Sequence, residues 1–258
     1  MPVPSRFFSG VSTGRPLNPC GNLPFPFPFD TQAYANDFNT YAATDWTVTG
    51  STGTTALTPG SGGLILQTTA ATINDVQANQ LAVATYAISA GLPCWFVWRG
   101  QLGDVTVPSF ATGLMQGASA LTPTDGIYFT KAAGATAIVL NVAKASVVTS
   151  VTLTGFTPVN GVNFMLAFYY DGRAIPSLFA WAGATMNPNL VGPPLASGQN
   201  SFTNYFSSFQ AITPLPGTSV IPNLPVVNLS PIVGIKAASA VAKTLTTDCI
   251  LVANDVVR

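Results

Sequence analysis

"NFMLAFYYD", residues 163–171, changes side at every residue but hardly changes polarity. In an extended chain successive side chains point to opposite faces. Phe164, Leu166, Phe168 and Tyr170 then share one face, and Met165, Ala167 and Tyr169 the other. "CWFVWRG" (94–100) repeats the pattern, with Trp95 and Val97 opposing Cys94, Phe96 and Trp98. Two packed sheets bury only the inner face of each strand. Strands that are apolar on both faces need cover on both. An extended arm, a long loop or a neighbouring subunit is therefore expected to supply the outer layer.

Working outward, short strand-like runs alternate with turn signals. Strands are predicted near residues 46–49, 63–69, 80–88, 94–102, 110–117, 126–131, 136–143, 146–154, 163–171, 177–183 and 244–255. Between them stand "TDG" (124–126), "KAAGA" (131–135), "TGFTPVNG" (154–161) and "YDGR" (170–173). Many short strands at this spacing indicate an all-β antiparallel sandwich or barrel. Residues 36–258 are read as one such domain, with an irregular, proline-rich insertion at about 184–231. No internal repeat or heptad stands out.

Composition agrees. Of 258 residues 48% are hydrophobic and only 7% charged, with 23 glycines and 21 prolines. All nine acidic residues are Asp; Glu and His are absent, and the formal net charge is zero. Strong helix formers are scarce, which favours strands and tight turns. A neutral chain offers no basic face to a phosphate backbone, so nucleic acid is not an expected partner. Near-zero net charge promotes association. The start, "MPVPSRFFSGVSTGRP", has no apolar signal core, and no long unbroken apolar run suggests a membrane span. Cys20, Cys94 and Cys249 read as reduced thiols, with a Cys94–Cys249 disulfide as the alternative.

Residues 1–35 are expected to form an extended arm. In "NPCGNLPFPFPFD" (18–30), Phe25, Phe27 and Phe29 alternate with Pro24, Pro26 and Pro28. Proline lacks an N–H and pushes the residue before it toward extended conformations. The segment is stiff, and its rings, with Phe7 and Phe8 upstream, are candidate interaction residues. They pack either on their own domain or on a neighbouring subunit.

Chemistry is sparse. Without His there is no imidazole base, and without Glu only Asp remains for a carboxylate pair. Most of the Asp residues sit in turn contexts, among them Asp75, Asp104, Asp125 and Asp171. Asp104, Asp125 and Asp171 are also the weak candidates for a calcium site. Ser239 and Lys243 have the spacing of a Ser–Lys dyad, one that arises readily by chance. Trp46, Trp95, Trp98 and Trp181 are either core or a sugar-stacking platform. No enzyme, cofactor or resident metal is expected.

"DFNTYAATDWTVT", "CWFVWRGQLGDV", "DGIYFTK", "FMLAFYYDGR" and "TLTTDCILVANDVVR", in this order, together with the opening "MPVPSRFFSGVST", resemble structural proteins of tailed-bacteriophage virions. Their module is similar to concanavalin-A-like (laminin-G-like) jelly rolls, and the resemblance covers roughly 1–183 and 232–258. It implies that "FYYDGRAIPSLFAW" is a hairpin and that the last strand returns beside the first. It also implies a head decoration (cement) or minor capsid protein, assembled in the host bacterial cytoplasm. Such a protein binds the major capsid protein or other virion proteins as a homo-oligomer, often a trimer. The alternative is a carbohydrate-binding virion adhesin on the same sandwich, with a glycan as partner.

Overall fold

The computed structural model describes residues 31–38, 40–50, 52–58, 64–83, 85–117, 121–184, 208–214 and 220–255. The candidate arm residues Phe7, Phe8, Phe25, Phe27 and Phe29 lie outside them. The described residues form two antiparallel sheets and one short 3-10 turn, Ala43–Asp45.

Numbered in chain order, sheet I runs β14 (Ser208–Ile212), β13 (Leu178–Ala184), β12 (Phe164–Tyr170), β7 (Cys94–Leu102), β16 (Thr244–Asp255), β4 (Leu64–Thr68) and β3 (Thr54–Thr58). β1 (Thr31–Asn36) pairs with the second half of β16, Thr31 opposite Asp255 and Asn36 opposite Ile250. The last strand thus does return beside the first. Sheet II runs β11 (Val147–Thr152), β10 (Val139–Lys144), β9 (Asp125–Lys131), β8 (Ser109–Gln116), β15 (Asn228–Lys236), β5 (Val76–Leu81) and β2 (Trp46–Gly50), with β6 (Tyr86–Ala87) beside β15.

The inner faces meet in an aromatic core. Phe96 stacks on Phe168 at 5.2 Å between ring centroids, and Trp98 packs against Phe110 and Phe164 at 5.0 and 5.1 Å. The Trp98 indole N–H donates to Thr247 Oγ1 at 3.2 Å, so its polar atom is satisfied in the dry interior. Each such side chain contributes roughly 1.5–3 kcal/mol by leaving water.

Three expectations change. Residues 31–35, read as arm, pair as β1. The run 80–88 is two strands, β5 and β6, broken at 82–85. The stretch 184–231, read as irregular, contributes β14 and the start of β15. Pro231 hid β15: a proline removes a ladder donor and argues against a central strand. Pro231 pairs with Leu114 of β8. Its other edge falls at the break between β6, paired through Leu229, and β5, paired from Ile232, where a missing N–H disrupts least.

Candidate functional surfaces

The outer face of sheet I is an aromatic pavement. Alternation turns Trp95 and Val97 of β7 outward, as it does Met165, Ala167 and Tyr169 of β12, and Phe179 and Trp181 of β13. The register sets Trp95, Tyr169 and Phe179 side by side in one row. Trp95 stacks on Tyr169 at 5.0 Å, Tyr169 on Phe179 at 6.2 Å, and Phe179 leans on Trp181 at 6.2 Å. Val97, Met165, Ala167 and Leu251 complete the cluster, and every member of it belongs to sheet I itself. Trp181 is 1% exposed and Trp95 4%. At one rim Arg99 Nη1 meets Asp248 Oδ2 at 2.7 Å. Burial pushes the Asp248 carboxyl up, Arg99 opposes this, and the charge of Asp37 adds to the rise.

The outer face of sheet II mixes small residues with a few larger apolar ones and a polar ladder. Ala78, Ala111, Met115, Tyr128, Ala143 and Ile232 cluster there under Leu121 from the β8–β9 connection. Leu121 approaches so closely that a Cβ on Gly234 would lie 2.5 Å from its Cδ2. Tyr128 lies across Gly113, where a Cβ would stand 2.5 Å from the Ile127 carbonyl oxygen and the Tyr128 Cα. Beside it runs a polar ladder: Ser150 Oγ donates to Asn141 Oδ1 at 2.7 Å, and Asn141 Nδ2 donates to Thr130 Oγ1 at 2.8 Å. Asn141 and Tyr128 are direct cross-strand partners. Burial raises the Tyr128 phenol above its usual range.

One end of the sandwich holds a half-buried ion pair and a buried lysine. Asp104 accepts from the Thr106 and Val107 backbone N–H groups, from Thr106 Oγ1, and from Lys243 Nζ at 2.7 Å. Burial works to raise its carboxyl; Lys243 and the Thr106 and Val107 bonds outweigh it and hold it well below the carboxylate range. Lys131, fully buried, donates from Nζ to the Ala132 and Ala135 carbonyls at 3.0 Å each. Desolvation lowers it to about 8, against the opposing charge of Asp104.

These contacts sort the candidates. Lys243 Nζ pairs with Asp104 rather than Ser239, so the Ser–Lys spacing is not a dyad. Asp125 accepts from the Ala145 N–H, and Asp171 Oδ1 accepts from the Arg173 and Ser177 N–H groups, closing the β12–β13 hairpin. Asp104 follows the end of β7, while Asp171 lies by its start. Asp125 pairs with Gln116 at the far end of β8 from Asp104. The three carboxylates are therefore separate turn braces, and among the described residues no three His, Cys, Asp or Glu side chains gather as a metal site. Cys94 and Cys249 are free thiols: Cys94 points into the core, whereas Cys249 pairs opposite Arg99, five residues along β7. Burial pushes Cys249 up to about 12 and Cys94 higher. Of the four tryptophans, Trp46 and Trp98 are inter-sheet core and Trp95 and Trp181 lie outward. The Asn141 ladder and the Leu121 cover were not read from sequence, because both depend on cross-strand register.

This architecture recurs in solved structures. The endo-1,3-β-glucanase from Streptomyces sioyaensis aligns with a TM-score of 0.58 at 11% identity, over 91% of this chain and 99% of that one. The chain has a lectin-like jelly-roll fold. Arcelin-5, a lectin-like defence protein from Phaseolus vulgaris, aligns at 0.53 and 8% identity, over 88% and 100% of the two chains. The CBM2 module of the evolved Dit of Lactobacillus casei BL23 phage J-1 aligns at 0.52 and 13% identity, over 89% and 98%. No family model matches the sequence, and no curated protein does. At these identities the likeness is one of fold. Among the described residues no helix is long and apolar enough to cross a membrane.

Proposed function

We propose that the chain is a non-catalytic structural component of a tailed-phage virion, a head decoration (cement) or minor capsid protein. It acts as a homo-oligomer whose apolar contacts stabilise a shell built by the major capsid protein, in particles assembled in the bacterial cytoplasm. The observation that carries this reading is the poverty of charge on a surface with apolar loop tips. Val159, Ile73 and Val241 are exposed around one set of turns, and Ile175, Val220 and Val226 around others. With 7% charged residues, little surrounds them to keep a free monomer dispersed. In an assembly such surface is covered. The sequence resemblance supports the same reading, and the absence of His and Glu favours a role without acid–base chemistry.

The test is quantitative mass spectrometry and electron microscopy of purified particles whose genome encodes the chain. The expected result is a fixed stoichiometry to the shell protein and density on the shell. A chain absent from the particles, or one that stays monomeric at high concentration, would falsify the proposal.

A second reading, carbohydrate binding, is favoured by one feature: Tyr128 beside the Ser150–Asn141–Thr130 ladder combines a ring with amide and hydroxyl groups on one sheet face. On that reading Leu121 must swing aside to admit a sugar. Binding on a glycan array, lost in Asn141→Ala, is the expected outcome. An array without hits, for both the native chain and Leu121→Ala, removes this reading.

A further inference from the structure

The outer face of sheet I poses a problem of layers. Side chains on one face of a sheet shield each other's edges but not their outward surfaces. Yet Trp181, Val97, Met165 and Ala167 are all buried within a single chain, and their described cluster partners are all in the same sheet. The described residues alone do not account for that burial.

We propose that the covering layer is the chain's own residues 1–30, with Phe25, Phe27 and Phe29 laid across the Trp95–Tyr169–Phe179–Trp181 pavement. Continuity comes first. Thr31 opens β1 on the same sheet, opposite Asp255, so the segment that precedes it is delivered to the edge of this face. Lengths agree as well. Neighbouring strands lie about 4.8 Å apart, which puts β16, β7, β12 and β13 about 5, 10, 14 and 19 Å from β1. A strand-like extended chain, in which alternate side chains share one face, advances about 3.3 Å per residue, which puts Phe29, Phe27 and Phe25 about 7, 13 and 20 Å from Thr31. One corner at Asp30, a residue type suited to turns, sends the segment across the strands rather than beyond the sheet. The Phe–Pro alternation then has a purpose. Each ring faces the pavement in an extended chain, and each intervening proline, with no N–H to satisfy, suits a layer that has no ladder of its own.

Charge is complementary. The charged side chains of residues 1–30 are Arg6, Arg15 and Asp30, two cations and one anion. The charges around the pavement are Asp37, Asp171, Asp248 and Asp255 with Arg99 and Arg173, four anions and two cations. This placement is independent of the virion reading, since it assigns the arm to its own sheet whatever the assembled partner.

The experiment uses the full chain with a photo-crosslinking phenylalanine analogue at position 27, in an equal mixture of unlabelled and nitrogen-15-labelled protein. The expected product is a cross-link within one isotopic species, mapped to residues 95–99, 165–169 or 179–181. Mixed-isotope cross-links, cross-links to sheet II, or none to these strands would overturn the proposal. A second variant, Phe25→Ser with Phe27→Ser and Phe29→Ser, leaves every described residue intact. Acrylamide quenching of its tryptophan fluorescence should rise at least twofold, because Trp95 and Trp181 become accessible. Unchanged quenching would point to residues 185–207 as the cover instead and would equally overturn it. Particles that carry the chain but yield no such cross-link would sink this placement and leave the virion proposal standing.

Discussion

The two outer faces of this sandwich reach a similar depth of burial by opposite chemistry. On sheet I large rings cover the surface: Trp95, Tyr169 and Phe179 stack in a row, Trp181 leans on Phe179, and the apolar area is continuous. On sheet II, Gly113, Gly234, Ala78 and Ala111 thin the surface until Tyr128 and Leu121 can lie flat against the backbone, with a hydrogen-bonded ladder alongside. Large side chains make a face that any apolar layer fits, at little cost in precision. Small ones make a face that fits a single arrangement, because backbone meets side chain with no slack. Sheet I is therefore expected to tolerate volume changes on its outer side, and sheet II to resist them.

Several experiments would break or sharpen that contrast. The largest effect should come from the core that both sheets share. Trp98→Ala is expected to cost about 3–5 kcal/mol, read as a lower urea midpoint with unchanged slope. A loss under half that size would mean the sheets are not held by this cluster. Next comes Gly113→Ala on sheet II. The added methyl meets the Ile127 carbonyl and Tyr128 Cα, neither of which can swing away, and about 1–3 kcal/mol should be lost. Exchanging outward Val97 for isoleucine on sheet I should cost less than that methyl, and an equal or greater loss would erase the distinction between the faces. Asn141→Ala, which leaves Ser150 and Thr130 without their shared partner, should cost on the order of 1 kcal/mol by the same measurement.

The smallest effects at neutral pH belong to the charged end and show in pH profiles. Lys131 has a folded-state value lowered to about 8 by desolvation. The unfolded chain, near 10.4, therefore binds more protons between these values, and stability should rise with pH from about 8 to about 10.4. Lys131→Met should abolish that rise in urea titrations, and a variant with the native slope would show that another group causes it. Asp104 gives a slope of the same sign at acid pH, because its folded-state value is also depressed, here by favourable pairing rather than desolvation. Its contribution is present above the unfolded value near 3.9 and is lost as the pH falls below it. Asp104→Asn should flatten the acid limb of the stability curve.

Much of this architecture was legible in the chain. The runs at 94–102 and 244–255 were read with the bounds that β7 and β16 have, because long apolar alternation leaves little freedom. The hairpin at Asp171 was legible for a related reason: Asp-Gly between two aromatic strands signals a turn, and Asp171 does accept the backbone N–H groups that close it. β15 was not legible, since Pro231 suppresses the strand signal and only the break between its two neighbours makes the residue tolerable. β1 was missed because "TQAYAN" has little pattern of its own and is a strand by virtue of pairing with β16. Asp75, Asp104, Asp125 and Asp171, read as turn residues, do accept backbone N–H groups in turns, but the pairing of Asp104 with Lys243 joins residues 139 positions apart and no local rule foretells it.

By itself, then, the sequence determined an all-β chain with doubly apolar central strands, few charges and no residue suited to an imidazole or glutamate mechanism. These properties follow from composition and from a period of two, which are local. Only the tertiary structure decided which tryptophans are core and which pave the outside, which sheet is smoothed with glycine and which with rings, and where the buried lysine finds its carbonyls. Register and sheet order set those outcomes. A shift of one residue in register exchanges the two faces of a strand, so the chemistry of each surface is fixed by pairing between distant segments rather than by any single stretch.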